Sequence, residues 1–184
     1  PHIRTFEDVV DPLAGTLERQ PIEFERVLDG GTAYLVTSML EGVVERGTAS
    51  ALRTQGLVGP VAGKAGTSND ERDAWFVGYT PEIAAGVWIG FDNARNLGMN
   101  ETGGRASAPI FVDYLKHALR DRPTQDFAVP EGIVFARIDR ATGLLAAPGN
   151  ENALFLPFRE GTAPVEVSPA ADSPGGAGRP LRVD

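Results

Sequence analysis

The run VAGKAGTSNDERDAWFVGYTPEIAAGVWIGFD, residues 61–92, decides the fold. VAGKAGTS is short and glycine-rich, DAWFVGYT is aromatic and β-branched, and EIAAGVWIGFD is a longer apolar stretch. Thr80, Pro81 and Glu82 supply a tight turn between the last two. The period is that of strands, so three adjacent antiparallel strands are expected, and their many apolar positions predict that helices cover both faces. Within the first strand, alternation sends Lys64 and Gly66 to one face and Ala65 and Thr67 to the other. Gly63 and Gly66 remove bulk, so that another chain or a ligand can approach the backbone closely.

Around this sheet, residues 29–46 (DGGTAYLVTSMLEGVVER) read as a helix. Thr32 is its N-cap, Tyr34, Leu35, Met39, Leu40 and Val43 form its core stripe, and Gly47 stands at its stop. Residues 110–122 form a second, amphipathic helix that Pro123 closes. Residues 3–20 suggest a surface hairpin around Asp11, Pro12 and Gly15. Residues 132–148 suggest another, with Ile133, Phe135 and Ile138 on its apolar side and Thr142-Gly143 at its turn. The Pro/Gly/Ala-rich residues 168–184 read as a disordered tail. The division expected is residues 1–122, a small β extension over 123–167, and the tail.

With 184 residues the chain can bury one good core. Its 17 basic and 25 acidic residues leave a net charge of −8, which argues against nucleic acid and anionic membrane as partners. There is no cysteine, so disulfides and thiolate metal sites are excluded. No apolar run approaches the roughly 18 residues of a membrane helix. The chain opens on strand-like sequence without a starting methionine, which suggests a piece of a longer protein.

Lys64, set between two glycines, invites a phosphate-loop reading, and counting defeats it. Val58 stands where the first glycine of such a loop belongs, and Ala65 stands where the Ser/Thr belongs. A different chemistry fits better. An edge strand with free N–H groups, an ammonium and a hydroxyl is a receptor for an extended peptide that ends in a carboxylate. Lys64 and Lys116 are the only lysines among 17 basic residues, so an arginine-rich chain places a compact ammonium here. His2 and His117 lack a carboxylate cluster at metal spacing, so no metal and no cofactor are expected. Asp70, Glu71, Arg72 and Asp73 read as a solvated turn, Trp75, Phe76, Trp88 and Phe91 as core, and Gly103-Gly104-Arg105 as a loop before a helix.

The run 61–92, preceded by TAYLVTSMLEGVVERGTAS (32–50) and followed by TGGRASAPIFVDYL (102–115), closely resembles the C-terminal part of the transpeptidase domain of bifunctional class A penicillin-binding proteins. The resemblance covers roughly residues 3–122. GIVFARIDRATGLLA and FREGTAPVE also resemble that family's short C-terminal extension. It implies an α+β fold, an antiparallel sheet flanked by helices as in serine β-lactamases, incomplete in this chain. It also implies peptidoglycan cross-linking through a serine acyl-enzyme. Lys64, Gly66 and Thr67 match the family's Lys-Thr/Ser-Gly-Thr motif. The lysine there supports proton movement and electrostatics, and the amide at Thr67 helps form the oxyanion hole. The Thr67 hydroxyl holds the terminal carboxylate of a D-Ala-D-Ala stem peptide or a β-lactam. Ala65 departs from the motif's hydroxyl residue, a loss of about 1.5–3 kcal/mol unless Ser68 compensates.

The family's nucleophile lies in Ser-x-x-Lys, and its second motif is Ser/Tyr-x-Asn. None of the six serines has lysine three residues on, and no serine or tyrosine has asparagine two residues on. This chain is therefore expected to be inactive alone. The resemblance places the parent on the periplasmic face, anchored in the inner membrane, with the N-terminal half of the same protein as partner. A non-catalytic cell-wall peptide-binding or scaffold module is the alternative, and a β-lactamase-type hydrolase is a third reading.

Overall fold

The computed structural model describes residues 8–13, 15–19, 25–93, 95–122 and 124–169, in two units divided at Gly30. The first is a hairpin of β1 (Asp8–Asp11) and β2 (Gly15–Arg19), antiparallel, with a register shift between Val9 and Val10. Asp11 fixes the turn by accepting the Leu13 N–H on Oδ1 at 2.8 Å.

The second unit carries α1 (Gly30–Arg46), α2 (Ala51–Thr54), β3 (Ala62–Thr67), β4 (Asp73–Tyr79), β5 (Ala84–Gly90), α3 (Ser107–Ala118), β6 (Ile133–Asp139) and β7 (Ala153–Arg159). The architecture is α+β, with an antiparallel sheet in the order β3-β4-β5 and a separate β6-β7 pair. Both hairpins of the larger sheet run without a register break. At the β4–β5 turn the Thr80 hydroxyl accepts the N–H groups of Glu82 and Ile83 at 3.2 and 3.1 Å.

The sheet's two faces differ, and here the expectation of two covered faces fails. Ala74, Phe76 and Gly78 alternate onto a buried face against α3, where Phe76 and Phe111 meet with ring centroids 4.8 Å apart. Val44, Leu52, Val61, Val112 and Leu115 complete that core. Trp75, Val77 and Trp88 alternate onto the opposite face and stay about half exposed, at 45 %, 52 % and 47 %. Phe91 is exposed too, so only Phe76 of the four aromatics read as core lies in it. Apolar composition fixed strand type here, while coverage depended on what packs on each face.

Other boundaries also move. Helix α1 begins at Gly30, ahead of Thr32, whose hydroxyl accepts a bond from Arg159 at 2.6 Å. Its buried positions are Thr37 and Val44, and Met39 is 71 % exposed. The Thr142-Gly143 turn does form, with Gly143 at φ 75°. The strand returning from it makes only a bridge at Leu145, and β6 pairs along its length with β7, a strand the sequence reading did not identify. Ile138, opposite in parity to Ile133 and Phe135, is the buried residue of β6. Ser168, read as the start of the tail, is buried and donates its N–H to Leu145 at 2.7 Å; residues 170–184 lie outside the described residues.

Candidate functional site

Strand β3 forms one edge of its sheet, and its hydrogen-bond phase can be worked out from its end. The Ser68 N–H donates to the Asp73 carbonyl at 3.0 Å, and the Asp73 N–H donates to Ser68 Oγ at 2.8 Å. Ser68 and Asp73 continue the register in which Thr67 faces Ala74 and Gly66 faces Trp75. In an antiparallel ladder hydrogen-bonded and non-hydrogen-bonded pairs alternate. Gly66, Lys64 and Ala62 therefore bond to β4, while the N–H and C=O groups of Thr67, Ala65 and Gly63 point to the open edge.

Side chains divide by the same parity, as the alternation predicts. Lys64, opposite Val77, and Gly66, opposite Trp75, lie on the exposed face. Ala65, opposite Phe76, packs its methyl partly against the core cluster. Lys64 is exposed and its Nζ donates to the Ala65 carbonyl at 2.7 Å, a carbonyl on the open edge. The ammonium thus sits at the strand rim. The two glycines serve different ends. A Cβ at Gly63 would press on the Phe76 ring at 3.0 Å, so its smallness serves packing, whereas one at Gly66 would meet only Trp75 Cβ at 3.5 Å. Gly66 alone leaves the backbone approachable.

Thr67 Oγ1 accepts the N–H of Gly103 at 3.2 Å. With a lone pair engaged, the hydroxyl proton stays available to donate, which suits a carboxylate ligand at the edge. Gly103 comes from the loop 96–106 that leads into α3. A side chain there would run into the carbonyl oxygens of Trp75 and Gly66, so glycine is required for this approach.

That loop is tied to the turn after β3, where Asn69–Glu71 form a short 3-10 turn. The Glu71 carboxylate accepts the Asn100 N–H at 3.2 and 3.1 Å, and the Glu71 carbonyl accepts the Leu97 N–H at 2.9 Å. The Asn96 side-chain amide donates to the Asp70 carbonyl, while Asn96 Oδ1 accepts the Gly98 N–H at 2.7 Å. Asp70, Glu71 and Asn100 all adopt left-handed backbone, at φ 61°, 51° and 64°. Such non-glycine conformations cost about 1–2 kcal/mol each and persist only where surroundings fix them. The segment read as a solvated turn is thus a junction between two loops. Its partners lie 26 to 29 residues away, so no local sequence signal marks it.

His117 lies exposed on α3, its Nδ1 2.8 Å from the Asp113 carbonyl, and His2 is outside the described residues. Among the described residues no three His, Asp or Glu side chains are grouped to hold a metal ion, and no helix is long and apolar enough to cross a membrane.

A model of the penicillin binding protein transpeptidase domain matches residues 5–116. Penicillin-binding protein 1A of Pseudomonas aeruginosa is 44 % identical over 161 residues, 85 % of this chain and 19 % of that protein. Penicillin-binding protein 1A of Aquifex aeolicus is 38 % identical over 159 residues, 86 % of this chain and 22 % of that protein. The crystal structure of penicillin-binding protein 1A from Haemophilus influenzae matches with a TM-score of 0.70 at 30 % identity, over 78 % of this chain and 22 % of its own. The chain spans about a fifth of the length of these relatives.

Proposed function

This chain belongs to the penicillin-binding protein transpeptidase family, and from that premise we propose that it supplies one wall of the acyl-transfer site of a peptidoglycan D,D-transpeptidase. The observation that carries the proposal is the outward phase of β3, which turns the Thr67 amide to an open edge while Gly103 leaves the Thr67 hydroxyl free to donate.

The chemistry divides between this wall and a nucleophile supplied from elsewhere. A stem peptide ending in D-Ala-D-Ala lies along the edge, its carboxylate accepting a bond from the Thr67 hydroxyl and drawn by the Lys64 charge. A serine in Ser-x-x-Lys, a spacing absent from this sequence, attacks the penultimate carbonyl carbon. The oxyanion forms against the Thr67 amide, a fixed donor worth about 10²–10³ in rate. The terminal D-Ala leaves with a proton, and the amine of a second stem peptide then takes the acyl group. Lys64 supports the proton movement. Gly66 admits the substrate backbone, Ala65 turns its amide and carbonyl to the same edge, and Ser68 closes the strand end by accepting the Asp73 N–H. A β-lactam acylates the serine by the same route. The working location is the periplasmic face, with the parent anchored in the inner membrane and the other half of the same domain as partner.

Labelling with a fluorescent penicillin tests this. The full-length protein carrying this chain is expected to label covalently, and this chain alone is not. A full-length protein that never labels would overturn the proposal in favour of a module that only binds cell-wall peptides.

A further inference from the structure

We infer that Glu71 is a positioning residue that sets the Thr67 hydroxyl, acting through the loop 96–103. The inference rests on the transpeptidase reading and adds to it a residue outside the Lys-x-Gly-Thr motif. Among the described residues, Thr67 Oγ1 accepts the Gly103 N–H from outside its own strand. Gly103 is delivered by a loop with no strand or helix of its own. Its C-terminal side is fixed by α3, whose Ser107 and Ala108 N–H groups donate to the Gly103 carbonyl at 3.2 and 2.9 Å, and its N-terminal side by the turn after β3. The Glu71 carboxylate accepts the Asn100 N–H with both oxygens, the Glu71 carbonyl accepts Leu97, and Asn96 reaches the Asp70 carbonyl. The Thr102 N–H closes back on the Asn100 carbonyl at 2.9 Å, which carries the constraint on towards Gly103.

Three left-handed residues, Asp70, Glu71 and Asn100, meet in this junction. An exposed turn with no task would relax out of such a conformation, whereas the paired carboxylate and amide hold it. A charged acceptor on a backbone N–H is among the stronger hydrogen bonds available to a protein. Glu71 is also sequence-adjacent to the strand that bears Thr67. One side chain therefore ties both ends of the path, the strand and the loop that orients its hydroxyl. With Gly103 in place the hydroxyl lone pair is engaged and its proton faces the ligand. With the loop released, the hydroxyl is free to turn and satisfy itself elsewhere.

The test has two arms. In this chain, amide hydrogen exchange at Asn100 and Gly103 is followed in wild type, Glu71→Ala and Glu71→Gln; E71A is expected to speed both by about tenfold or more, and E71Q, which keeps one carbonyl acceptor, by less. In the full-length protein, the acylation rate with a fluorescent penicillin is measured for E71A, Thr67→Val and the double variant. E71A is expected to slow acylation about tenfold in the wild-type background and to add little in T67V, since residues acting through one group are not additive. If E71A does not fold, Glu71→Asp, one methylene short of Asn100, replaces it in both arms. Unchanged exchange at Gly103 overturns the inference, and so does a loss in the T67V background equal to that in wild type. A wild type that takes no label overturns the transpeptidase reading instead, and exchange at Gly103 then decides the loop tie by itself.

Discussion

Lys64, Ala65, Gly66 and Thr67 divide by parity. The odd positions present their N–H and C=O groups to the open edge, and the even positions place ammonium or bare backbone on the exposed face. Ala65 shares its face with Thr67, two residues on, so a hydroxyl at position 65 would stand beside the one already there. Ala65→Ser is expected to raise the rate of penicillin acylation in the full-length protein about tenfold, the worth of one added hydrogen bond to a charged group. A rate unchanged from wild type would show that the ligand's carboxylate gains nothing from a hydroxyl at position 65. Gly103→Ala tests the close approach of the loop. Its Cβ would meet the carbonyl oxygens of Trp75 and Gly66, so the loop must lift, at a cost of about 1–3 kcal/mol measurable by urea unfolding. Stability equal to wild type would contradict the contact.

At the scale of elements, helix α1 joins the sheet through polar as well as apolar contacts. Thr37 Oγ1 lies 2.9 Å from the Tyr79 hydroxyl, while Val44 enters the core. On the same helix Glu41 is half-buried, and its pKa is raised, first by burial and then by the negative charges of Glu45 and Asp126, against a smaller pull from Arg53. The sign follows. A raised carboxylate pKa favours the folded state while the proton is on, and that contribution is lost as pH rises through the folded value. Glu41→Gln removes the loss, so its melting temperature is expected to exceed that of wild type at neutral pH. The gain should vanish in acid, below the ordinary range of a glutamate. An equal gain at both pH values would assign the effect to something other than charge. Element types over 61–92 were legible because period-two patterning and turn chemistry are local. The pairing of β6 with β7 was not, since β6 takes a partner on each edge, a bridge to Leu145 on one and the full length of β7 on the other, and the second comes from beyond the turn that local signals mark.

Over the whole molecule, the open sheet face that carries Trp75, Val77 and Trp88 is the largest departure from what composition implied. Clustered exposed apolar side chains drive association. The chain by itself is therefore expected to self-associate in sedimentation velocity, and Trp75→Ser with Trp88→Ser to shift it towards monomer. A monomeric wild type at high concentration would show the face to be content in water. The family and the strand types over 61–92 were determined by the sequence alone, because each rests on residue type, order and short spacing. Tertiary structure decided which face of the sheet is covered, which N–H groups reach the open edge, and that Glu71 meets Asn100. Those depend on contacts between residues far apart in the chain, and local patterning carries no information about such distances.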